Sequence, residues 1–481
     1  MINTNKKILY SLLAAFVLFS ASCSKSFLDE ESSTSLPASS AIRSVTDLTS
    51  AVNGVYMQLL GDPDQSFRFY YGGDFALYAD IKGPDMYSPD ANLNQLSPVG
   101  RYVHEPLSNF SSGYYKTMYV ALARVNDILT KSSVLNVSDD KKAAFDDAIG
   151  QLYALRGLIH FDLARLYAKL PTVATDLNDA NSGIVLADRP IDASVKASRS
   201  TLKETYDLIV SDFTKSLPLL SKTKTIGKIN YWAAEALRAR VFLYLNDNSK
   251  ALADAADVIA HSSYSLYRID NYTTVWDKEG TDESLFEVLA TEKYNAQRNS
   301  IGYYTSPSGY PEVAATANFV SFLEADPNDI RSKMIGEQSD NGEFKAYYPL
   351  KYPGRSGSIY VNNAKVIRLS EVYLIAAEAA LKGGAALGAE SAVNYINRLR
   401  ANRISGYNPV ASITLDDLLN ERRKELFAEG HIAWDYWRNG KSFTKPEVKG
   451  VIAGSIPTAI VAIPFREIQI TGSKLVQNPG Y

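Results

Sequence analysis

The stretch from Glu421 to Arg438 carries a dense set of ionisable side chains: Glu421, Arg422, Arg423, Glu425, Glu429, His431 and Asp435. Two carboxylates are what a glycosidase uses as acid and base. Here Glu421 and Glu425 stand one turn apart on a single predicted helix, with arginines among them. That spacing predicts ion pairs on a helix surface and packing against neighbouring helices, not catalysis. Trp434 and Trp437, at helical spacing, read as core. The histidines, His104, His160, His261 and His431, are not spaced with one another for metal binding. The chain has no GxSxG, no HExxH, no phosphate-cradling GxxxxGKS or GxxxxGKT loop and no GxGxxG. The expectation is a protein that is not an enzyme and carries no cofactor and no metal.

Recognition is the chemistry the composition favours. There are 31 tyrosines against 18 phenylalanines and 4 tryptophans. A sugar ring has an apolar C–H face with hydroxyls around its edge. It therefore needs an exposed aromatic ring with Asp, Asn or Arg in reach. Two irregular stretches rich in Tyr and Gly offer both. The first, residues 61–112, supplies Tyr70, Tyr71, Asp74, Tyr78, Asp80, Asp85 and Tyr87 as candidate ligand contacts. The second, residues 291–316, supplies Tyr294, Asn295, Arg298, Tyr303, Tyr304 and Tyr310. Tyr303 and Tyr304 follow Gly302 in a loop whose pattern asks for no buried ring, so one or both could stack on a sugar. Exposed tyrosines serve a peptide as well as a glycan, and the sequence leaves both open.

Scaffold helices must hold these loops. In Lys228–Tyr264, Ala233, Leu237, Val241 and Tyr244 make one helical face. Asn246 to Ser249 breaks the pattern, with Ser249 as N-cap, and Leu252, Ala255 and Ile259 resume it. In Ala364–Arg403, Leu369, Tyr373, Ala376 and Ala380 form a face. Gly383-Gly384 is the break, and Ala389, Ala392, Ile396 and Leu399 form the returning face. Small alanines on an apolar stripe let helices approach closely, as in tetratricopeptide-like hairpins. Further helices are predicted over 46–60, 114–131, 139–169, 201–220, 318–324 and 415–439. A short strand is expected at 344–351, a short strand or helix at 284–290, and irregular chain over 440–481. Trp276 reads as core.

The chain has 481 residues, 46% hydrophobic and 21% charged, with a formal charge of -3, so nucleic acid is not an expected partner. Lys6 and Lys7 precede a 12-residue apolar run, Ile8 to Phe19, too short to span a bilayer comfortably. Ser20-Ala21-Ser22 then leads to Cys23, the only cysteine. The pattern predicts a lipoprotein signal peptide over 1–22 and lipidation of Cys23, although Ser20 departs from the usual leucine of a lipobox. The Ser-rich segment 23–45, with Asp29-Glu30-Glu31, reads as a tether. The lipid would then be the only membrane attachment.

Several segments together resemble the SusD/RagB family of outer-membrane nutrient-binding lipoproteins of Bacteroidetes. They are SFLDE after Cys23, ALRGLIHFDLARLYAKLP at 154–171, INYWAAEALRARVFLYL at 229–245 and VIRLSEVYLIAAEAA at 366–380. ERRKELFAEGHIAWDYWR at 421–438 and the terminal LVQNPGY complete the set. They stand in the family's order and span nearly the whole mature chain. The resemblance implies an all-α superhelix of four tetratricopeptide-like hairpins with long loop-rich insertions and little β structure. It implies one SusD/RagB-like domain over 46–481, with an N-terminal part at 46–227 and a C-terminal part at 228–481. It further implies a surface lipoprotein of the outer membrane that binds glycan or peptide. As its partner it implies a SusC-like TonB-dependent transporter. The acidic Asp29-Glu30-Glu31 also resembles the surface-export signal of these bacteria. In the family similarly placed insertions carry the aromatic platform, so the carry-over to the two loops is regional.

Overall fold

The computed structural model describes residues 42–89, 95–192, 194–309, 311–340 and 344–481. The expected signal peptide, Cys23, nearly all of the tether, and Tyr310 lie outside them. Among the described residues the longer helices are α1 (Val45–Gln58), α2 (Asn109–Ser132), α3 (Lys142–Tyr167), α4 (Leu202–Ser216) and α5 (Tyr231–Tyr244). They continue with α6 (Asn248–His261), α7 (Leu369–Leu381), α8 (Ala392–Ala401), α9 (Leu415–Leu426) and α10 (Ile432–Arg438). Local chemistry sets their starts. Ser44 Oγ accepts from Asp47 N at 3.1 Å, and Thr201 with Glu204 forms a capping box on α4.

The hairpins α3–α4, α5–α6 and α7–α8 stack in order, α4 on α5 and α6 on α7, and α9 with α10 makes a shorter fourth pair. The alanines that predicted close approach are fully buried, Ala233, Ala236, Ala255 and Ala376 among them. A residue without a long side chain lets a neighbouring backbone come within van der Waals reach. Trp276, Trp434 and Trp437 are core. One hydrophobic cluster runs from Leu48 to Leu475. The fold is an all-α helical-repeat superhelix.

Strands are few and short: β1 (Met86–Tyr87), β2 (Ser284–Val288), β3 (Ala314–Ala315), β4 (Ile335–Asp340), β5 (Phe344–Pro349), β6 (Ala364–Arg368), β7 (Phe443–Lys445) and β8 (Val448–Ile452). β2 pairs antiparallel with β6, β7 with β8, and the others form a sheet in the order β1-β3-β5-β4.

Several expectations need correction. Residues 364–368 are strand, so the second hairpin begins at Leu369. Asp247, not Ser249, caps α6, its carboxylate accepting from Lys250 N. Residues 440–481 contain β7, β8 and a short helix, Phe465–Ile470. The helix expected over 415–439 breaks between α9 and α10, where Ala428 and Gly430 have φ of 59° and 80°. Distant groups take the carbonyls freed there: Lys351 Nζ and Arg368 Nη2 donate to Glu425 O at 2.8 and 3.1 Å, and the Tyr352 hydroxyl donates to Ala428 O at 2.7 Å.

The ionisable residues of that stretch are not on a helix surface. Glu421, Glu425 and Glu429 sit in a buried lattice of opposite charges. Arg331 Nη1 lies 2.6 Å from Glu421 and 3.3 Å from Glu425. Arg403 Nε lies 3.0 Å from Glu425, and its Nη2 pairs with Glu283. Arg368 joins Glu283, Glu425 and Glu429 at 2.6, 3.1 and 2.7 Å, and Lys351 reaches Glu429 at 2.6 Å. These guanidinium groups hold Glu421, Glu425 and Glu429 below the usual carboxylate range against the opposing cost of burial. Such groups have no proton to donate at neutral pH and no access to a substrate.

Candidate ligand-binding rim

Most of the tyrosines and carboxylates of the first loop face inward. The hydroxyls of Tyr70 and Tyr71 both donate to Asp162 Oδ2 on α3, at 2.8 and 2.9 Å, and Asp162 is paired with Arg165. Tyr78 lies against Trp434 and Tyr114, with centroids 5.8 and 6.0 Å away. Asp74 accepts from Arg68 Nε at 2.7 Å, Asp80 accepts from Gly430 N, and Asp85 holds the Arg423 guanidinium at 2.7 Å. All six are buried, whereas Tyr87 is half-buried in β1 beside Ala314, Ala346 and Tyr348. Burial pushes the Tyr70, Tyr71 and Tyr78 phenols and the Asp80 carboxyl well up. As described, these six residues are the loop's own core and fastenings, and none is a stacking platform.

The second loop is similar. Tyr304 is buried and donates to Asn299 Oδ1 at 3.0 Å. Tyr303 is 9% exposed, its ring 5.3 Å from that of Tyr360. Both belong to a short helix, Ile301–Thr305, capped by Ser300. The buried Asn295 carboxamide ties its own loop, donating to Thr291 O at 2.8 Å and accepting from Gln297 N at 2.8 Å. Tyr303 and Tyr304, expected as the stacking pair, are therefore packing residues. Of the candidates in this loop, Arg298 is exposed and Tyr294 half-buried.

The two loops, more than 200 positions apart, close into one surface. Ile301 N donates to Gly72 O at 3.2 Å, and a Cβ on Gly73 would lie 2.6 Å from Asn299 O. Only glycine admits that approach. Beside this seam the rings of Phe67 and Tyr294 meet edge to face, 6.3 Å apart at 83°. Both are half-buried, and Lys293 Nζ stands 4.9 Å over the Tyr294 ring. Phe67 is presented by a tight turn. Phe67 N donates to Asp62 O at 2.8 Å and Asp62 N donates to Arg68 O at 3.1 Å. Ser66, Phe67 and Phe69 have φ of 51°, 54° and 66°, a left-handed cluster that non-glycine residues rarely adopt. Below it Arg68 bonds Asp74 and Gln95 and lies 4.7 Å over the Phe69 ring. Phe67 on its braced turn and Tyr294 across the seam, with Lys293 over the Tyr294 ring and the exposed Arg298 in the same loop, can stack on an apolar face and hydrogen-bond to its edge. Phe67 and Tyr360 were not singled out in the sequence, because neither sits in a tyrosine run and nothing local marks a ring as outward-facing.

These joined loops stand on a stacked helical-repeat scaffold. The profile described as "SusD family" matches residues 238–481, and that described as "Starch-binding associating with outer membrane" matches residues 26–243. The chain belongs to the SusD family. It is 30% identical to a SusD superfamily protein of Bacteroides vulgatus, whose crystal structure superposes with a TM-score of 0.83 over 92% of this chain and 100% of that one. SusD-like protein P38 of Formosa agariphila is 24% identical, with 86% of this chain and 87% of that protein covered. A laminarin-binding SusD-like protein shares the fold, with a TM-score of 0.70 and 20% identity over 92% of this chain and 100% of that one. Among the described residues no helix is long and apolar enough to cross a membrane.

Proposed function

We propose that the protein is a non-catalytic, cell-surface glycan-binding lipoprotein, anchored through Cys23, that serves oligosaccharide uptake with a TonB-dependent outer-membrane transporter. Family membership supports carbohydrate as the ligand class, as does the laminarin bound by one protein of the same fold. The observation that carries the site is the seam: two distant loops joined so that Phe67 and Tyr294 form one edge-to-face pair at the surface. On this reading Phe67 and Tyr294 stack on a sugar, and Lys293 and Arg298 bond ring hydroxyls. The residues 46–227 build one face of this rim and the residues 228–481 the other. Affinity is micromolar to millimolar, because few rings contribute. Calorimetry with laminarin and starch oligosaccharides tests the reading. Binding without loss of ligand over hours is expected. Product sugars would refute the non-catalytic role, and a response to peptides alone would replace glycan by peptide.

A further inference from the structure

Nine arginines are buried among the described residues, and eight of them lie against carboxylates: Arg156, Arg165, Arg240, Arg331, Arg368, Arg403, Arg422 and Arg438. Arg199 is the exception. It is 7% exposed and makes no ion pair among the described residues. Its Nε donates to Gly183 O at 2.8 Å, and its Nη1 donates to Asn478 Oδ1 at 2.7 Å and Val476 O at 3.2 Å. Nη2 donates to Tyr167 O at 3.1 Å. A guanidinium has five N–H groups, so one on Nη2 is left over. A buried charge without a counter-charge is costly. Burial accordingly draws the proton affinity of Arg199 down to about 10.

Arg199 lines a cavity of about 250 Å³ between the α3–α4 connection and the C-terminal tail, far in sequence from the aromatic seam. Lys169, exposed at the same cavity, makes no ion pair among the described residues. The remaining polar lining includes Asp176, Asp179, Asn181 and Ser182, and no aromatic ring lines it. We infer that this cavity is a second ligand site, which takes the carboxylate of an acidic sugar unit, a hexuronate, against Arg199 and Lys169. The volume admits one sugar ring. Asp176, Asp179 and Asn181 can bond sugar hydroxyls, while the Asn478 carboxamide is held inside the fold by Tyr167 O, Val461 O and Arg199. Asp176 and Asp179 disfavour a doubly charged group such as sulfate or phosphate. With no ring to stack on, a neutral sugar has only hydrogen bonds here and nothing to answer the two positive charges. The site does not depend on the Phe67–Tyr294 rim.

The test is saturation-transfer NMR and calorimetry on the full chain with sodium D-glucuronate, D-glucose, acetate and sulfate. Glucuronate is expected to bind at least tenfold more tightly than each of the other three. Lys169→Ala, at an exposed position, is expected to weaken glucuronate several-fold with an unchanged melting curve. Arg199→Gln is expected to abolish the binding, with circular dichroism as the folding control. Phe67→Ala/Tyr294→Ala is expected to leave it intact, which separates this site from the rim. Glucose bound as tightly as glucuronate, sulfate or acetate bound as tightly, or glucuronate binding undiminished in Lys169→Ala would each overturn the inference.

Discussion

Phe67 and Tyr294 are the residues on which the binding reading can be tested most directly. Both rings are half-buried at the surface, so truncation removes a contact face more than it opens a core. Phe67→Ala/Tyr294→Ala should weaken oligosaccharide binding several-fold with little change in melting temperature. Tyr303→Ala/Tyr304→Ala should do the reverse, since the Tyr304 hydroxyl is bonded inside and its ring is 1% exposed. Losing it should cost about 3 kcal/mol. Calorimetry beside thermal melts separates the two outcomes, and a stable Tyr303/Tyr304 variant that fails to bind would return the platform to that pair. Glu235 gives a pH test. Burial, then Asp257 and Asp254, push its carboxyl up to about 8 from an ordinary value of 4.5. The folded chain therefore holds a proton there that the unfolded chain releases. Its contribution to stability is full below pH 4.5 and is lost as pH rises to about 8, at up to about 1.4 kcal/mol per pH unit. Glu235→Gln should flatten this slope in melts at pH 5, 6.5 and 8.5. A slope identical to that of the wild type would show that the proton is not held there. The sequence marked the tyrosine loops as special, yet it could not say which rings point outward. Tyr70 and Tyr71 are turned inward by Asp162, some 90 positions away, and no local pattern records that partner.

At the level of elements, the hairpins were legible because their cause is local. Alanines and leucines recur every three or four residues, and the recurrence survives translation into packed helices. Ala236 and Ala376 have no exposed surface. Ala236→Leu or Ala376→Leu should overpack the contact between helices and lower stability by about 1–3 kcal/mol. Unchanged melts in both would contradict the close packing. The break between α9 and α10 was not legible, because its determinants come from elsewhere. Lys351, Tyr352 and Arg368 take the freed carbonyls, and Asp80 takes Gly430 N. Gly430 has φ of 80°, and a Cβ there would sit 2.8 Å from Ala76 O. Gly430→Ala should therefore cost more than about 1 kcal/mol by denaturant unfolding. A variant as stable as wild type would mean that the turn is not constrained.

For the molecule as a whole, the proposed anchor at Cys23 is tested on the full chain. Cys23→Ala should release the protein from the outer-membrane fraction into a soluble one, as read by cell fractionation. Retention at the wild-type level would sink the lipid anchor. The charge lattice ties together parts of the chain from Glu283 to Glu429, so that β6, α9 and the loops before β2 and after α8 share one set of counter-ions. Removing one partner of a buried pair commonly costs about 3–5 kcal/mol, because the survivor is left bare. Replacing the partners together by apolar groups of like volume is often neutral. That asymmetry bears on how the chain can change through descent. A lineage that loses Glu425 alone takes one carboxylate from Arg331, Arg368 and Arg403 at once and leaves the lattice short of a negative charge. The lattice is thus expected to change as a block, through compensated exchanges, whereas Phe67 and Tyr294, which share no such set of counter-ions, can vary one at a time.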